Sequence, residues 1–286
     1  MDWFDKFPQL SASSLVYFKS KIDNLFFSFS ASHGEAIENF FEPLLYFLIF
    51  VEKLLVQTPW VLILFVTILI SYFVSKSFKL TIAIVLGVCC IGLIGLWEDT
   101  MNTLSIILVA TFICIIVGVP IGTLLHNRNF LQKIVNPVLD LMQTIPTFVY
   151  LIPIITLMGI GKVPGLIAVC VYSVPPVIRL TSLGLKQVPH RYVETAMALG
   201  LTRRKILLMI KFPMALQSIL VGINQTIMMS LGMVVIASMI GVSGLGSNIL
   251  KAINNQYITT GLLNGFAIVV IAIILDRLLQ SIIKRK

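Results

Sequence analysis

The sequence predicts an all-α polytopic membrane protein, and three observations predict it. Hydrophobic residues are 58% of the 286 and charged residues 12%. With a mean hydropathy of +1.00, the chain has too few charges to wet the surface of a soluble globule. Its 21 basic and 12 acidic side chains are grouped so as to leave seven charge-free runs, at 54–75, 80–97, 100–127, 141–161, 163–178, 212–250 and 252–275. About 20 apolar residues cross a bilayer as a helix. Most of these runs are that long, whereas barrel strands would read as shorter segments of alternating polarity.

The net charge of +9 carries an orientation once it is sorted by position. Residues 1–57 hold 4 Lys and 7 Asp/Glu, and residues 58–286 hold 17 Lys/Arg and 5 Asp/Glu. Threading seven spans from an outside N-terminus puts 15 of those 17 basic residues on one side, leaving only Lys162 and Lys251 opposite, beside the acidic Glu98 and Asp99. Basic loops stay in the cytoplasm, so the N-terminus is expected outside and the C-terminus inside. The excess charge marks an inner membrane face, and no nucleic-acid partner is implied.

Taking the elements in order, the start Met1-Asp2-Trp3-Phe4-Asp5 has no basic n-region, so no cleaved signal peptide is expected. Residues 1–57 form an extracytoplasmic segment whose aromatic and acidic residues, Trp3 to Phe41, either brace the assembly as amphipathic helices or form a loose tail. The apolar stretch Leu44–Phe50 is interrupted by Glu52 and Lys53 and suits a helix lying at the outer interface; an eighth crossing is the alternative. Residues 58–97 make two accessory transmembrane helices, 58–75 and 80–97. The core, 98–286, carries spans at 101–125, 137–158, 163–184, 214–238 and 261–282.

Pro146, Pro153, Pro164, Pro175 and Pro176 each remove a helical N–H and should kink or break the middle spans, either for packing or to open a moving pathway. The outward segment Ile240–Thr260, with Gly241, Gly244, Gly246 and the cluster Asn254-Asn255-Gln256, reads as irregular backbone that protein must cover or that lines a cavity. Cys89, Cys90, Cys114 and Cys170 fall in apolar runs without C-x-x-C spacing, and His33, His126 and His190 are far apart. No metal site and no cofactor is expected.

The cytoplasmic segment Lys186–Pro213 carries six Lys/Arg and the single acid Glu194, more than a turn between helices needs. Tyr192 to Leu199 is a plausible short helix, ended by Gly200 in the left-handed conformation. Thr202 can then cap a second helix, with Arg203, Arg204 and Lys205 in its first turns, running to Pro213 where the next span begins. Ala196 and Ala198 are small enough to seat such a knob in a partner's groove, and Glu194 offers it a carboxylate. An amphipathic loop contacting lipid head groups is the plain alternative.

Glu194-Thr195-Ala196-Met197-Ala198-Leu199-Gly200, then nine residues to Ile210-Lys211-Phe212-Pro213, resembles the E-A-A-x(3)-G-x(9)-I-x-L-P signature of membrane subunits of bacterial ATP-binding-cassette importers. Thr195 and Phe212 depart from it; the spacing does not. Beyond the loop, the runs from Asp140 to Tyr150, Gly159 to Gly165, Pro175 to Thr181, and Gly222-Ile223-Asn224-Gln225-Thr226 on to Gly246 look like the permease of glycine betaine/L-proline importers, over roughly 100–282. That resemblance implies a type I importer permease core of MetI-like fold, a homodimer bound to two copies of a separate cytoplasmic ATPase, and an extracytoplasmic substrate-binding protein, expected as a separate chain. The implied cargo is a small osmolyte, either a quaternary ammonium compound such as glycine betaine, with carnitine and choline as variants, or proline, imported across a bacterial inner membrane. The coupling residues it implies are Glu194, Thr195, Ala196, Gly200, Arg203, Arg204 and Pro213.

Gly159-Ile160-Gly161-Lys162 lacks the Ser/Thr that closes a phosphate loop, so ATP is expected on the partner. For the pathway, the polar and aromatic groups of the late spans are the candidates: Gln143, Thr144, Tyr150, Asn224, Gln225, Thr226 and Ser230. Weak dipolar contacts and an aromatic face would pass a betaine without trapping it; interhelical hydrogen bonding is the alternative for each. Arg179 either snorkels or gates. The rival class is an ion-coupled secondary transporter of small zwitterions, which needs a mid-membrane carboxylate, and Asp140 and Asp276 fall near the cytoplasmic ends. A membrane enzyme lacks its constellation here: no H-E-x-x-H and no paired aspartates occur in the spans.

Overall fold

The computed structural model describes residues 11–285; the aromatic and acidic start from Trp3 and the final Lys286 lie outside them. The helices, in chain order, are α1 (Ala12–Gln57), α2 (Trp60–Ser75), α3 (Phe78–Leu93), α4 (Trp97–Leu125), α5 (Asn129–Thr144), α6 (Thr147–Met158), α7 (Lys162–Ser173), α8 (Pro175–Lys186), α9 (His190–Ala198), α10 (Arg203–Ile206), α11 (Phe212–Ala237), α12 (Leu245–Asn255) and α13 (Ile258–Arg285). No strand occurs among the described residues.

Proline placement decides where helices turn. The residue before a proline is pushed out of the helical region. Thr58, before Pro59, is extended at ψ 133, and α1 meets α2 at 102°. Ile145, before Pro146, is extended at ψ 129, and α5 meets α6 at 100°. Val174, before Pro175, stays helical at ψ −28, so Lys162–Lys186 continues as one apolar helix of 25 residues. The span expected at 137–158 is thus bent at Pro146, as that proline predicts, whereas Pro153 and Pro164, expected to kink or break their helices, sit inside α6 and α7 without breaking them.

Among the described residues, four helical stretches are long and apolar enough to cross a membrane, Trp97–Leu125, Lys162–Lys186, Arg203–Ile240 and Ile258–Ile283, and the count reaches six if each bent pair is one span. The expected spans 58–75 and 80–97 fall on α2 and α3, of 16 residues each, joined by Lys76 in the left-handed region (φ 49) and by a buried Ser71–Thr81 hydroxyl contact of 3.2 Å.

The core is built where glycines let backbones close. On α4, Gly118 and Gly122 face α8: added Cβ atoms would lie 2.2 Å from Val177 Cγ1 and 2.6 Å from the Ile178 carbonyl oxygen. On the other side of α8, a Cβ on Gly184 would lie 2.6 Å from Ser218 Cβ of α11. Small residues at a crossing are how membrane helices gain dispersion contact without a hydrophobic drive. The layer α4, α8, α11 so formed continues through α7 into one cluster that includes Ile107, Leu166, Val169, Met233 and Leu245, with Leu48 of α1 buried in it.

Leu48 lies in the apolar stretch Leu44–Phe50, the part of the chain expected to form a helix at the outer interface. It belongs to a 46-residue helix that touches the ends of α6 and α7 assigned to the outside, beginning with Ser30, whose hydroxyl donates to the Thr156 carbonyl at 2.6 Å. The segment 240–260 is likewise more ordered than expected. After Gly241 (φ 98) and Gly244 (φ 127) the chain forms α12, with Leu245, Gly246 and Ala252 buried.

Candidate functional site

The loop between α8 and α11 folds as its residues require. Helix α9 ends in a paired reverse bond: the Leu201 N–H donates to the Ala196 carbonyl at 3.0 Å and the Gly200 N–H to the Met197 carbonyl at 2.9 Å. This closure needs a left-handed residue, and Gly200 supplies it at φ 76. Thr202 then caps α10, accepting from the Lys205 N–H at 3.5 Å. Between α10 and α11 the chain widens into a π turn, Leu207–Lys211, where the Phe212 N–H reaches back five residues to Leu207. Pro213 follows directly; a proline clashes with the carbonyl four residues before it, and a π turn relieves that clash.

The exposed surface of this knob carries Glu194, Thr195, Ala198, Gly200, Arg203, Arg204, Lys205 and Pro213. Glu194 Oε1 lies 2.9 Å from His190 Nδ1 on the same helix face, and the Thr195 hydroxyl donates to the Arg191 carbonyl at 2.8 Å. Ala196, at 2% exposure, is packed inside the hairpin and lies off the exposed surface of the knob. Nothing lies within 4 Å of an added Cβ at Gly200, so the demand for glycine there is purely one of backbone conformation.

Of the seven pathway candidates, the structure brings two together. Gln143 and Gln225 line a cavity of about 530 Å³ with Asn136, Asp140, Arg179 and Lys186. Helix α5 splits into faces to make it: Leu131, Val135, Leu139 and Met142 pack on Leu125 and Ile178, while Gln132, Asn136, Asp140 and Gln143 turn to the cavity. Arg179 pairs with Asp140, Lys186 donates to Gln132, and Arg179 Nε is buried without a partner. Arg179 therefore reaches across the cavity to α5.

The other candidates face elsewhere. Asn224 donates to Asp276 Oδ1 at 2.8 Å, and Gln280 to Asp276 Oδ2 at 2.7 Å, a knot between α11 and α13. Thr226 and Ser230 are wholly buried, Ser230 donating to the Thr226 carbonyl at 2.9 Å. Thr144 is exposed. The Tyr150 hydroxyl donates to the Met142 carbonyl across the α5–α6 bend, and its ring meets Tyr172 edge-on at 6.1 Å.

Sequence reasoning missed a second polar knot, on the opposite face. Asn248 of α12 donates to Asp99 Oδ2 at 2.6 Å and to Asn264 Oδ1 at 3.3 Å, and the Leu245 N–H donates to Thr103 Oγ1 at 2.9 Å. Together these pin α12 to α4 and α13. The signal was an acid and two asparagines in or beside apolar runs, where polar groups need partners.

A helical membrane core, with a folded basic hairpin presented between two of its long apolar helices, defines the membrane component of a transport system. Residues 114–286 match the family described as binding-protein-dependent transport system inner membrane component, and the chain belongs to that family. It is 41% identical over 240 residues to the glycine betaine/proline betaine transport system permease protein ProW of Escherichia coli, covering 84% of this chain and 68% of that one. It is 45% identical over 202 residues to the glycine betaine transport system permease protein OpuAB of Bacillus subtilis, covering 70% and 72%. Against the glycine betaine/carnitine transport permease protein GbuB of Listeria monocytogenes it is 41% identical over 232 residues, covering 79% and 81%. The fold matches an inward-facing structure of the MetNI methionine ABC transporter with a TM-score of 0.60 at 20% identity, over 66% of this chain and 95% of that one.

Proposed function

We propose that this chain is the transmembrane subunit of an ATP-driven importer of quaternary ammonium osmolytes, with glycine betaine as the first candidate. The observation that carries the reading is 41–45% identity to three permeases whose names all contain glycine betaine. Two copies of the chain would form the pathway in a bacterial inner membrane, N-terminus outside and C-terminus inside. A separate binding protein would deliver solute, and two copies of an ATPase would dock on the knob around Glu194–Gly200. Residues 1–57 would remain on the outer surface.

The mechanism follows from the knob's construction. A helix end fixed by Gly200 and a capped α10 make a stiff hairpin, continuous through the π turn with the 38-residue stretch Arg203–Ile240. Motion of the docked ATPase pair would thereby be delivered to α11, and through its glycine contact with α8 to the cavity that Gln143, Gln225 and Arg179 line. Coupling of this kind needs a rigid two-state element, and the α5–α6 bend at Pro146 supplies a hinge beside the cavity.

The test is reconstitution of the chain with its ATPase in proteoliposomes, followed by ATPase stimulation and uptake with betaine, carnitine, choline and proline binding proteins. Stimulation by a betaine-loaded binding protein supports the reading. Uptake driven by an ion gradient without the ATPase would replace it with a secondary carrier.

A further inference from the structure

Helices α3 and α13 touch at Gly87, where an added Cβ would lie 3.0 Å from Val270 Cγ1. From that contact to Ser77 and Arg277 they leave a groove of about 550 Å³, within the range of ligand sites. Ten helical residues separate Ser77 from Gly87, about 15 Å, which is half the hydrocarbon thickness and so the depth of one leaflet. The walls are apolar: Leu80, Ala83, Ile84, Val270, Ile273 and Ile274.

The mouth is not. Lys79 and Arg277 stand there beside the Ser77 hydroxyl, both exposed, and neither has an ion pair among the described residues. The adjacent acid, Asp276, is turned away, with its two oxygens taken by Asn224 and Gln280. A one-leaflet apolar groove under two uncompensated cations has the shape and charge of a lipid site. A second copy of the chain fits poorly: a two-fold axis through the groove would set its Lys79 and Arg277 against these, with no free acid between them.

We propose that the α3–α13 groove binds one anionic glycerophospholipid of the bilayer, its phosphodiester held by Lys79 and Arg277 and an acyl chain lying along Leu80, Ala83 and Ile273. The charge distribution assigns the mouth to the cytoplasmic leaflet. The lipid would fill the space that α3 and α13 leave between their contact at Gly87 and the cytoplasmic surface.

The experiment is native mass spectrometry of the purified full-length chain in detergent, with phosphatidylglycerol and phosphatidylcholine added at matched concentrations. Phosphatidylglycerol is retained preferentially. At about 1 kcal/mol per surface cation, Lys79→Gln with Arg277→Gln lowers that retention about thirtyfold, while Lys133→Gln leaves it unchanged. Ala83→Phe, which fills the groove and keeps both cations, also expels the lipid. Equal retention of the two lipids, unchanged retention in the double variant, or disulfide trapping of two chains through Ala83→Cys in membranes each overturns the site. None of these readouts uses transport, so the result stands or falls apart from the cargo.

Discussion

Lys162, the first residue of α7, and Glu52 of α1 are 110 positions apart and form a two-pronged ion pair, Nζ lying 2.6 and 2.8 Å from the carboxylate oxygens. Each is a charge that looked misplaced: Glu52 interrupts an apolar run, and Lys162 is one of only two basic residues after position 57 on the face assigned to the outside. Their partnership accounts for both. At 33% and 21% exposure the pair is partly screened and contributes up to about 1 kcal/mol. Glu52→Gln should therefore lower Tm only slightly, yet speed limited proteolysis within α1. Exchanging the charges, Glu52→Lys with Lys162→Glu, should restore protection; if the double variant is cut as fast as the single ones, the pair does not anchor α1.

Gly200 at φ 76 separates conformational demand from steric demand. An L residue in the left-handed region costs about 1–2 kcal/mol, asparagine least among them. Uptake is expected to survive in Gly200→Asn and to be abolished in Gly200→Val, both variants inserting normally in the membrane. Normal transport by reconstituted Gly200→Val would show that the knob's geometry does not couple to the ATPase.

Gly122 makes the opposite case, since a Cβ there meets the Ile178 carbonyl oxygen at 2.6 Å and Thr181 Cβ at 2.7 Å. Backbone cannot yield as a side chain does, and overpacking of this kind costs about 1–3 kcal/mol. Gly122→Ala should lower Tm by several degrees. Gly265→Ala, on α13 with nothing within 4 Å of the new atom, should hold or raise it through helix propensity. Thermal unfolding of the two purified variants reads the difference directly.

Gln143 and Gln225 share a cavity, whereas Thr226 is wholly buried with an unpartnered hydroxyl. Gln225→Ala should raise the KM of uptake. Thr226→Val keeps the shape and removes an unsatisfied polar atom, so it should leave transport unchanged and stability equal or better. Loss of uptake in Thr226→Val at unchanged Tm would place its hydroxyl on the pathway.

What the sequence made legible was what spacing alone decides. Gly200 and Thr202 declared a helix end and a helix start because capping is a local matter. The bend at Pro146 was readable for the same reason, and the equivalent bend at Pro59 carried the same signal unread. The direction a side chain faces was not legible. Asn224, Gln225 and Thr226 are adjacent polar residues on one apolar helix, and only packing against α13 turns the first toward Asp276 while the second turns to the cavity. Gly118 and Gly122 stood four apart in plain view, but which helix crosses there depends on contacts far along the chain. The length of α1 was hidden because Glu52 and Lys53 interrupt its apolar stretch, until Lys162 gives Glu52 a partner.

His126, just past the end of α4, gives the fold a dependence on pH. It is 8% exposed, its Nδ1 contacts the Thr123 carbonyl, and its Nε2 has no partner. Burial holds its pKa below the ordinary value of 6.5, Lys211 and Lys186 push the same way, and the Thr123 carbonyl opposes them. The folded chain therefore binds fewer protons at this site than the unfolded chain, and stability must fall as pH drops through 6.5 and below, while above it the contribution is constant. A proton on Nε2 would also find no acceptor in a buried site. Purified wild type should lose more Tm between pH 7.5 and 5.5 than His126→Gln, whose amide can still donate to Thr123 and does not titrate. His33 and His190 are exposed and common to both chains, so the difference isolates His126. Equal slopes for the two would mean that His126 binds its proton as readily in the folded chain as in the unfolded one.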